Sequence, residues 1–283
     1  MHIEKFKTGS KLPLTNDGEL SLFFVGVGSA FSKKHYQTNL LIIKGQDHIM
    51  IDCGSKTPQA LYELDLSVTD IKNFLITHLH ADHIGGLEEV MLLGRFVHGE
   101  KPTIVINKKF QQLLWDLSLR GGAAYNEERS EADITFKDMW YVIRPKWLPS
   151  MSRETQEADV GGINLKIFRT MHTPDNAEDW QSSFWSCGII IDNKVMFTSD
   201  TRFDTDLVEN YAANFDLEII FHDAQFFNGG VHAGIDELNT LPADIKKKLI
   251  LTHYGDTWED YQEKIEEYGF YGLAKQWQYY NFS

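Results

Sequence analysis

The sequence predicts an α/β protein, because short apolar strands alternate with segments of helical spacing. Runs of apolar residues that fit strands recur from residues 20–27 to residues 249–252. Between those runs, segments such as residues 87–96 carry apolar residues at helical spacing. With 283 residues, 42% of them hydrophobic, the chain can bury a sizeable core in a single domain spanning residues 1–283.

The elements follow in order from these patterns. The first strand ends in the Gly26-Val27-Gly28-Ser29-Ala30 turn, where glycines permit a close approach of the backbone. The aromatic tail after residue 258 is expected to pack as a final helix and strap. The predicted strands are residues 20–27, 38–44, 48–52, 74–76, 103–107, 163–171, 183–192, 194–198, 216–223 and, as the last one, 249–252; the predicted helices are residues 58–64, 87–96 and 108–119.

Four potential metal ligands lie together on the turn that follows the strand at residues 74–76. They are His78, His80, Asp82 and His83. Because side chains alternate along an extended chain, His78 and His80 point the same way, while the turn can aim Asp82 and His83 at a second centre. Neutral imidazoles with a carboxylate suit zinc, iron or manganese rather than calcium. The turn therefore predicts a metal site.

Composition limits the expected environment and partners. A net charge of −14 repels long polyanions, so binding of long nucleic acid is not expected, whereas a small phosphodiester can enter a cation-lined pocket. Cys53 and Cys187 give no disulfide framework. No apolar run reaches the ~20 residues of a membrane span. Residues 1–13 lack the apolar stretch of a signal peptide, so we expect a cytoplasmic protein without membrane contact.

The His-x-His-x-Asp-His motif, followed by Gly85-Gly86, resembles the signature of the metallo-β-lactamase superfamily. The resemblance implies a four-layer αββα sandwich that binds two divalent metal ions, with zinc expected and manganese or iron as alternatives. It also implies that Asp52 braces the metal-binding loop through hydrogen bonds. The ligand set that it implies is His78, His80 and His172 for the first metal, Asp82, His83 and His253 for the second, and Asp200 as the bridge.

Two features resemble the ribonuclease Z and phosphodiesterase branch of that superfamily. One is the glycine-rich turn after the first strand, and the other is Asp223 followed by His232 on a turn that enters a helix. The resemblance implies that His232, steered by Asp223, donates a proton in phosphoryl chemistry, and that Asp82 orients or deprotonates the attacking water. Ribonuclease Z has glutamate in place of Asp223, and threonine where this chain has Gly234.

Residues 95–160 depart from a minimal sandwich and are predicted as an inserted segment. The segment carries equal numbers of basic and acidic residues, so it is electrically neutral. It is expected to act as a packing or dimerisation segment at one edge, which allows a homodimer, or as a cap over the metals. It has no basic, glycine- and proline-rich arm of the kind with which ribonuclease Z grips tRNA.

The sequence therefore predicts a dinuclear metal-dependent hydrolase that cleaves a small phosphodiester, such as a cyclic or short nucleotide. Two alternatives stay open: an acyl hydrolase, either a lactonase or a thioesterase, and a ribonuclease Z-like endonuclease. Three cationic side chains, Lys33, Lys34 and Arg202, are candidates for contact with a substrate anion. Arg202 has the alternative of pairing with Asp204 or Asp206.

Overall fold

Two β-sheets of eight strands each form the centre of a computed structural model, which describes residues 1–126 and 133–283. The first sheet has the strand order β1-β16-β2-β3-β4-β5-β6-β7 and consists of β1 (His2–Lys5), β2 (Leu20–Gly26), β3 (Asn39–Lys44), β4 (Asp47–Ile51), β5 (Asn73–Leu75), β6 (Thr103–Val105), β7 (Tyr141–Ile143) and β16 (Gln278–Phe282). The second has the order β15-β14-β13-β12-β11-β10-β9-β8 and consists of β8 (Lys146–Trp147), β9 (Thr155–Val160), β10 (Ile163–Arg169), β11 (Cys187–Ile191), β12 (Val195–Phe197), β13 (Ile219–Asp223), β14 (Leu249–Thr252) and β15 (Gly272–Leu273).

Helices cover the outer face of each sheet. Two of them widen into π-helical turns where they end, at Leu93–His98 after α3 and at Trp115–Leu119 after α4. Short 3₁₀ helices lie at Val68–Asp70 and Trp258–Tyr261. The α-helices are α1 (Thr57–Glu63), α2 (Ala81–Ile84), α3 (Leu87–Leu92), α4 (Lys108–Leu114), α5 (Arg120–Ala123), α6 (Phe136–Met139), α7 (Thr205–Asn214), α8 (Ile235–Leu238), α9 (Ala243–Lys246) and α10 (Gln262–Tyr268).

Three apolar clusters define four layers. The central cluster lies between the sheets and joins side chains such as Phe24 of β2 and Phe221 of β13, whose ring centroids are 4.8 Å apart. A second cluster packs the outer face of the first sheet against α1, α3 and α4, and a third packs α7 to α10 against the second sheet. Because both faces of the inner strands are covered, strands such as β2 are buried along their whole length and are mostly apolar. The predicted αββα sandwich is therefore confirmed.

Most predicted elements are present within one to four residues of their predicted ends, but the C-terminal prediction is wrong in one respect. Leu249–Thr252 is not the last strand, since β15 and β16 follow it. The expected strap is β16, which lies between β1 and β2 in the first sheet. The pairing of β1 with β16 joins the two ends of the chain. A contact between residues so far apart in the sequence produces no local sequence pattern from which it could be predicted.

Residues 95–160 supply edge strands to both sheets. The strands β6 and β7 extend the first sheet in parallel, and β8 and β9 extend the second. Whether this segment mediates a dimer stays a prediction, as does the single-domain organisation. In the part of the chain that the structure describes, no helix is both long and apolar enough to cross a membrane.

Parallel strands bring the candidate ligands to one edge of the sandwich. In the first sheet β4, β5 and β6 run parallel, and in the second β12, β13 and β14 do. Loops at the carboxyl ends of parallel strands meet at one edge, which is where α/β folds bind ligands. Six of the seven candidate ligands follow the carboxyl end of β5, β12 or β14, whereas His172 follows β10, which pairs antiparallel with both of its neighbours.

Candidate metal centre and active site

Asp52 organises the turn that carries the first motif. Its carboxylate accepts hydrogen bonds from the Thr77 amide at 2.7 Å and the Thr77 hydroxyl at 2.8 Å. The second oxygen also lies 2.7 Å from Nδ1 of His83. An acceptor on Nδ1 fixes the ring orientation and leaves Nε2 free to face a metal. Asp52 thus has the bracing position that the resemblance implied.

The first predicted ligand set comes together at the ends of β5 and β10. His80 Nδ1 lies 3.1 Å from His78 Nε2 and 3.2 Å from His172 Nε2. Nitrogen ligands at the usual distance from a tetrahedral zinc would be about 3.3 Å apart. Three imidazole nitrogens therefore converge on one point with the spacing that a metal ion requires.

The second set comes together beside it, around Asp82. Oδ2 of Asp82 lies 3.2 Å from His83 Nε2 and 3.3 Å from His253 Nε2. Oδ2 of Asp200 lies 3.4 Å and 3.3 Å from the same two nitrogens. All four of these side chains are buried. The structure thus separates the ligands into the same two sets as the sequence-based prediction.

Asp200 occupies the position between the sets. Besides its contacts with the second set, its Oδ2 lies 3.7 Å from His78 Nε2 and 3.8 Å from His172 Nε2. Asp200 belongs to both of these four-residue groups and to a third one with Asp223, His232 and His253, and within each group the candidate ligand atoms all lie within 4.8 Å of one another. A bridging role for this carboxylate therefore fits the geometry.

Buried polar atoms at the centre fit divalent cations. Both carboxylate oxygens of Asp200 and Nε2 of His83 are shielded from solvent, and none has a hydrogen-bond partner among the described residues. Burying a carboxylate without a partner is strongly unfavourable. Two cations between these groups would satisfy all three atoms, and imidazole with carboxylate suits zinc, manganese or iron.

The pKa values at the centre follow from burial and charge. Burial lowers the pKa of His172 to about 4, and it lowers that of His78 well below its usual value, so both rings are neutral and able to bind a metal. His83 differs. Burial lowers its pKa, but the nearby carboxylates, chiefly Asp200, raise it by more, well above its usual value. Without a cation, these carboxylates stabilise a proton on His83. A bound cation would supply the positive charge in place of that proton.

Asp223 and His232 form a hydrogen-bonded pair beside this cluster. His232 Nδ1 donates to Asp223 Oδ2 at 2.7 Å, and the same oxygen accepts from the Thr201 amide at 3.0 Å. The His232 ring stacks on His253 with centroids 4.7 Å apart. Burial lowers the pKa of His232, but the charge of Asp223 and its hydrogen bond raise it by more, to about 9. A protonated His232 at neutral pH can donate a proton.

Sequence reasoning missed two contributors to the site. The carbonyl of Val231 accepts a hydrogen bond from His172 Nδ1 at 2.8 Å and so orients that ring. A backbone carbonyl carries no sequence signal. The other is Arg169 at the end of β10, whose buried guanidinium donates to the carbonyls of Ser183 and Phe184, at 3.1 Å and 3.2 Å, and holds the rim loop, residues 173–186. The available signal in the sequence was an arginine within the predicted strand 163–171, three residues before His172.

The structure gives two of the three candidate cations other partners. Arg202 donates to the backbone carbonyls of Asp175 and Ala177 on the rim loop. Its predicted alternative partners pair instead with Arg153, at 2.7 Å for Asp204 and 3.3 Å for Asp206. The pairing alternative for Arg202 is therefore wrong. Lys34 pairs with Glu259 at 2.6 Å.

Sequence comparison identifies relatives that span almost the whole chain. The family described as "Anti-Pycsar protein Apyc1" matches residues 20–280. A relative from Bacillus phage BSP38, also described as Anti-Pycsar protein Apyc1, is 38% identical over 245 residues, which cover 85% of this chain and 91% of the relative. Residues 20–280, which the family matches, span the positions of all seven candidate ligands.

Solved structures of the metallo-β-lactamase fold superpose on this chain. The metallo-β-lactamase fold protein YhfI from Bacillus subtilis covers 93% of this chain and 100% of its own, with a TM-score of 0.65 and 15% identity. A diphosphatase of the PhnP family covers 93% and 98%, with a TM-score of 0.66 and 15% identity. At this identity the likeness establishes the fold, and the site must carry any argument about substrate.

Proposed function

Because this chain belongs to the Anti-Pycsar protein Apyc1 family, we propose that it is a metal-dependent phosphodiesterase acting on a small phosphodiester, such as a cyclic or short nucleotide. The family and the two His/Asp clusters support the coarser description, a metal-dependent, phosphodiesterase-like hydrolase. The observation that carries the finer proposal is the Asp223–His232 pair beside the candidate ligands.

The seven candidate ligands would hold two divalent ions, with His78, His80 and His172 on one side, Asp82, His83 and His253 on the other, and Asp200 shared. Two ions held in this way would supply Lewis-acid stabilisation of phosphoryl charge and lower the pKa of water. Asp82, which stays ionised because His83 and His253 outweigh burial and lower its pKa, would orient the attacking water.

The Asp223–His232 pair matches the needs of phosphodiester cleavage. An alkoxide is a poor leaving group, so it needs a proton donor within hydrogen-bond reach. Two histidines of the cluster reach solvent: His80 is exposed, and His232 has 22% of its side chain accessible, against 4% or less for His78 and His172. Asp223 holds its Nδ1, which leaves Nε2 to serve substrate. Acyl hydrolysis by a lactonase or thioesterase does not require this dedicated pair.

The negative charge of the chain favours a small substrate over a long polyanion. The chain has a net charge of −14, to which the rim loop, directly after His172, contributes Asp175, Glu178 and Asp179. These charges repel a long polyanion, which approaches through many phosphates at once. A mononucleotide presents one phosphate and is repelled much less, so a ligand of that size fits better than a precursor tRNA.

The pair gives the test of the proposal. His232→Ala should keep about two metal ions and lose about 10²–10⁴-fold in kcat on a cyclic nucleotide, the usual contribution of general acid–base assistance. On bis(p-nitrophenyl) phosphate the loss should shrink, because p-nitrophenolate leaves without a proton. His98→Ala, which removes an exposed histidine on the π-helical turn after α3, is the matched control and should behave as wild type.

Metal content by elemental analysis and kcat on both substrates decide the outcome. An unchanged kcat of His232→Ala on the cyclic nucleotide would contradict the assigned role and favour the acyl-hydrolase alternative. Faster cleavage of a precursor tRNA than of small phosphodiesters, compared as kcat/KM at ~0.15 M salt where long-range attraction is screened, would contradict the small-substrate proposal.

A further inference from the structure

A cleft of about 720 Å³ opens beside the loop that carries the candidate ligand His253, since the next residue, Tyr254, lines it. Its lining residues come from the edge strands β1 and β15, from β16 beside β1, from α10, and from the loops that follow β2, β14 and β15. None of the seven candidate ligands lines it. Pockets for small organic ligands usually measure about 300–1,000 Å³, so a nucleotide-sized molecule fits this volume.

The walls of the cleft carry an excess of positive charge in an acidic protein. Lys5, Lys34 and Lys275 line it, against one carboxylate, Glu266. Lys34 is paired with Glu259, whereas Lys5 and Lys275 have no ion-pair partner among the described residues. A pair of free ammonium groups on a chain of net charge −14 is a local reversal of sign that attracts an anion.

Two glutamines on the same walls are oriented as hydrogen-bond donors. Gln276 uses its amide oxygen to accept from the Tyr36 amide at 2.7 Å, and Gln278 uses its own to accept from the Tyr280 hydroxyl at 3.1 Å. Their amide NH₂ groups have no acceptor within the described residues. With the lysines, they give the cleft several hydrogen-bond donors against one carboxylate, that of Glu266, and an anion needs such donors.

Other residues that line the cleft are aromatic or apolar. Trp258 is half-buried and lies beside Tyr254 and His35, with ring centroids 6.1 Å and 6.0 Å away, while Ile265 and Leu273 complete the surface. An indole beside aliphatic side chains provides a flat face for a planar ring. The cleft therefore combines anion-binding donors with a stacking surface.

This site shares a loop with the candidate metal centre but is separate from it. Lys34 and His35 belong to a turn whose Lys33 and Lys34 amides donate to Asp256, at 2.8 Å and 3.1 Å. Asp256 lies three residues after the candidate ligand His253. The same turn thus contacts the cleft on one side and the loop carrying His253 on the other.

We propose that this cleft is a second ligand site, which binds a small organic anion carrying a planar ring, such as a nucleoside monophosphate. The phosphate lies against Lys5, Lys275 and the two glutamine amides, and the ring lies on Trp258. The site is independent of the phosphodiesterase assignment, because none of its residues belongs to the metal centre.

The test uses metal-loaded protein and titration calorimetry with AMP, with adenosine and inorganic phosphate as probes of each half. The Lys5→Glu/Lys275→Glu variant should bind AMP at least tenfold more weakly than wild type, which corresponds to about 1.4 kcal/mol. Lys108→Glu/Lys109→Glu, with the same charge change at exposed positions on α4, should bind AMP as wild type does. Adenosine and phosphate should each bind more weakly than AMP.

Hydrolysis of bis(p-nitrophenyl) phosphate should be unchanged in both double variants, which shows that they fold. If Lys5→Glu/Lys275→Glu fails to fold, Lys275→Met removes one charge without reversing it and should still weaken AMP binding relative to wild type. Equal AMP affinity in the cleft variants and the control would overturn the proposal, as would the absence of AMP binding to wild type. Equal affinity for adenosine and AMP would remove the anion part of the proposal.

Discussion

The two halves of the candidate metal centre differ in burial and charge. The half formed by His78, His80 and His172 has three neutral imidazoles, and His80 is exposed. The half formed by Asp82, His83 and His253 is wholly buried, and Asp52 supports it from behind. Asp200 is common to both. The first half is therefore open and nearly uncharged, whereas the second is closed and rich in carboxylate.

The difference in burial and charge indicates that the two halves have different roles. Carboxylates in a buried site attract a divalent cation more strongly than neutral imidazoles do, because the low dielectric strengthens the attraction. An exposed ligand allows water and substrate to reach its metal. We expect the closed half to hold its ion more tightly and the open half to exchange its ion and meet substrate.

The largest effect on metal content and rate is expected from a change at Asp200, the residue that the two halves share. Asp200→Asn should lower the metal content from about two ions towards zero and the rate by about 10³-fold or more, because metal ions supply several kcal/mol of transition-state stabilisation. Elemental analysis and phosphodiesterase assays measure both quantities. Retention of two ions with near-normal activity would show that Asp200 is not the bridge.

A smaller effect on metal content is expected from a change in only one half of the centre. His80→Ala should lower the metal content from about two ions to about one, since the closed half keeps its own ligands. Brief treatment of wild type with a chelator should give the same intermediate, because the open half exchanges first. If His80→Ala loses both ions together, or if a chelator removes both at one rate, the halves are not independent in the way that their burial suggests.

The smallest effect is expected from a change at Asp52, which hydrogen-bonds to His83 behind the closed half. Asp52→Asn leaves every ligand in place but weakens the acceptor at His83 Nδ1, and loss of such a support typically costs about 10–100-fold in metal affinity. Asp65→Asn is the matched control, since Asp65 is exposed and has a similar left-handed backbone, with φ of 59° against 66° for Asp52. Equal metal affinity in the two variants would assign Asp52 a purely structural role.

The sequence by itself determined what depends on local pattern. Alternating and continuous apolar runs specified ten of the sixteen strands that the structure describes, β2 to β6 and β10 to β14, and missed the other six, β1, β7, β8, β9, β15 and β16. The spacing of His78, His80, Asp82 and His83 specified a metal-binding turn. Resemblance of motif order then indicated His172, Asp200 and His253, and the structure brings them to the same point. Local patterns succeed here because each ligand follows a buried strand, whose apolar run fixes where the strand ends.

Only the tertiary structure decided what depends on groups distant in the chain. The pairing of β16 with β1 and β2, the carbonyl of Val231 behind His172, and the partners of Arg202 and Arg169 involve backbone atoms or residues far apart in sequence. The cleft beside Trp258 is likewise lined by residues far apart in the sequence, from 5–35 and from 254–278. Carbonyls and cavities have no residue type of their own, so their positions follow from packing alone.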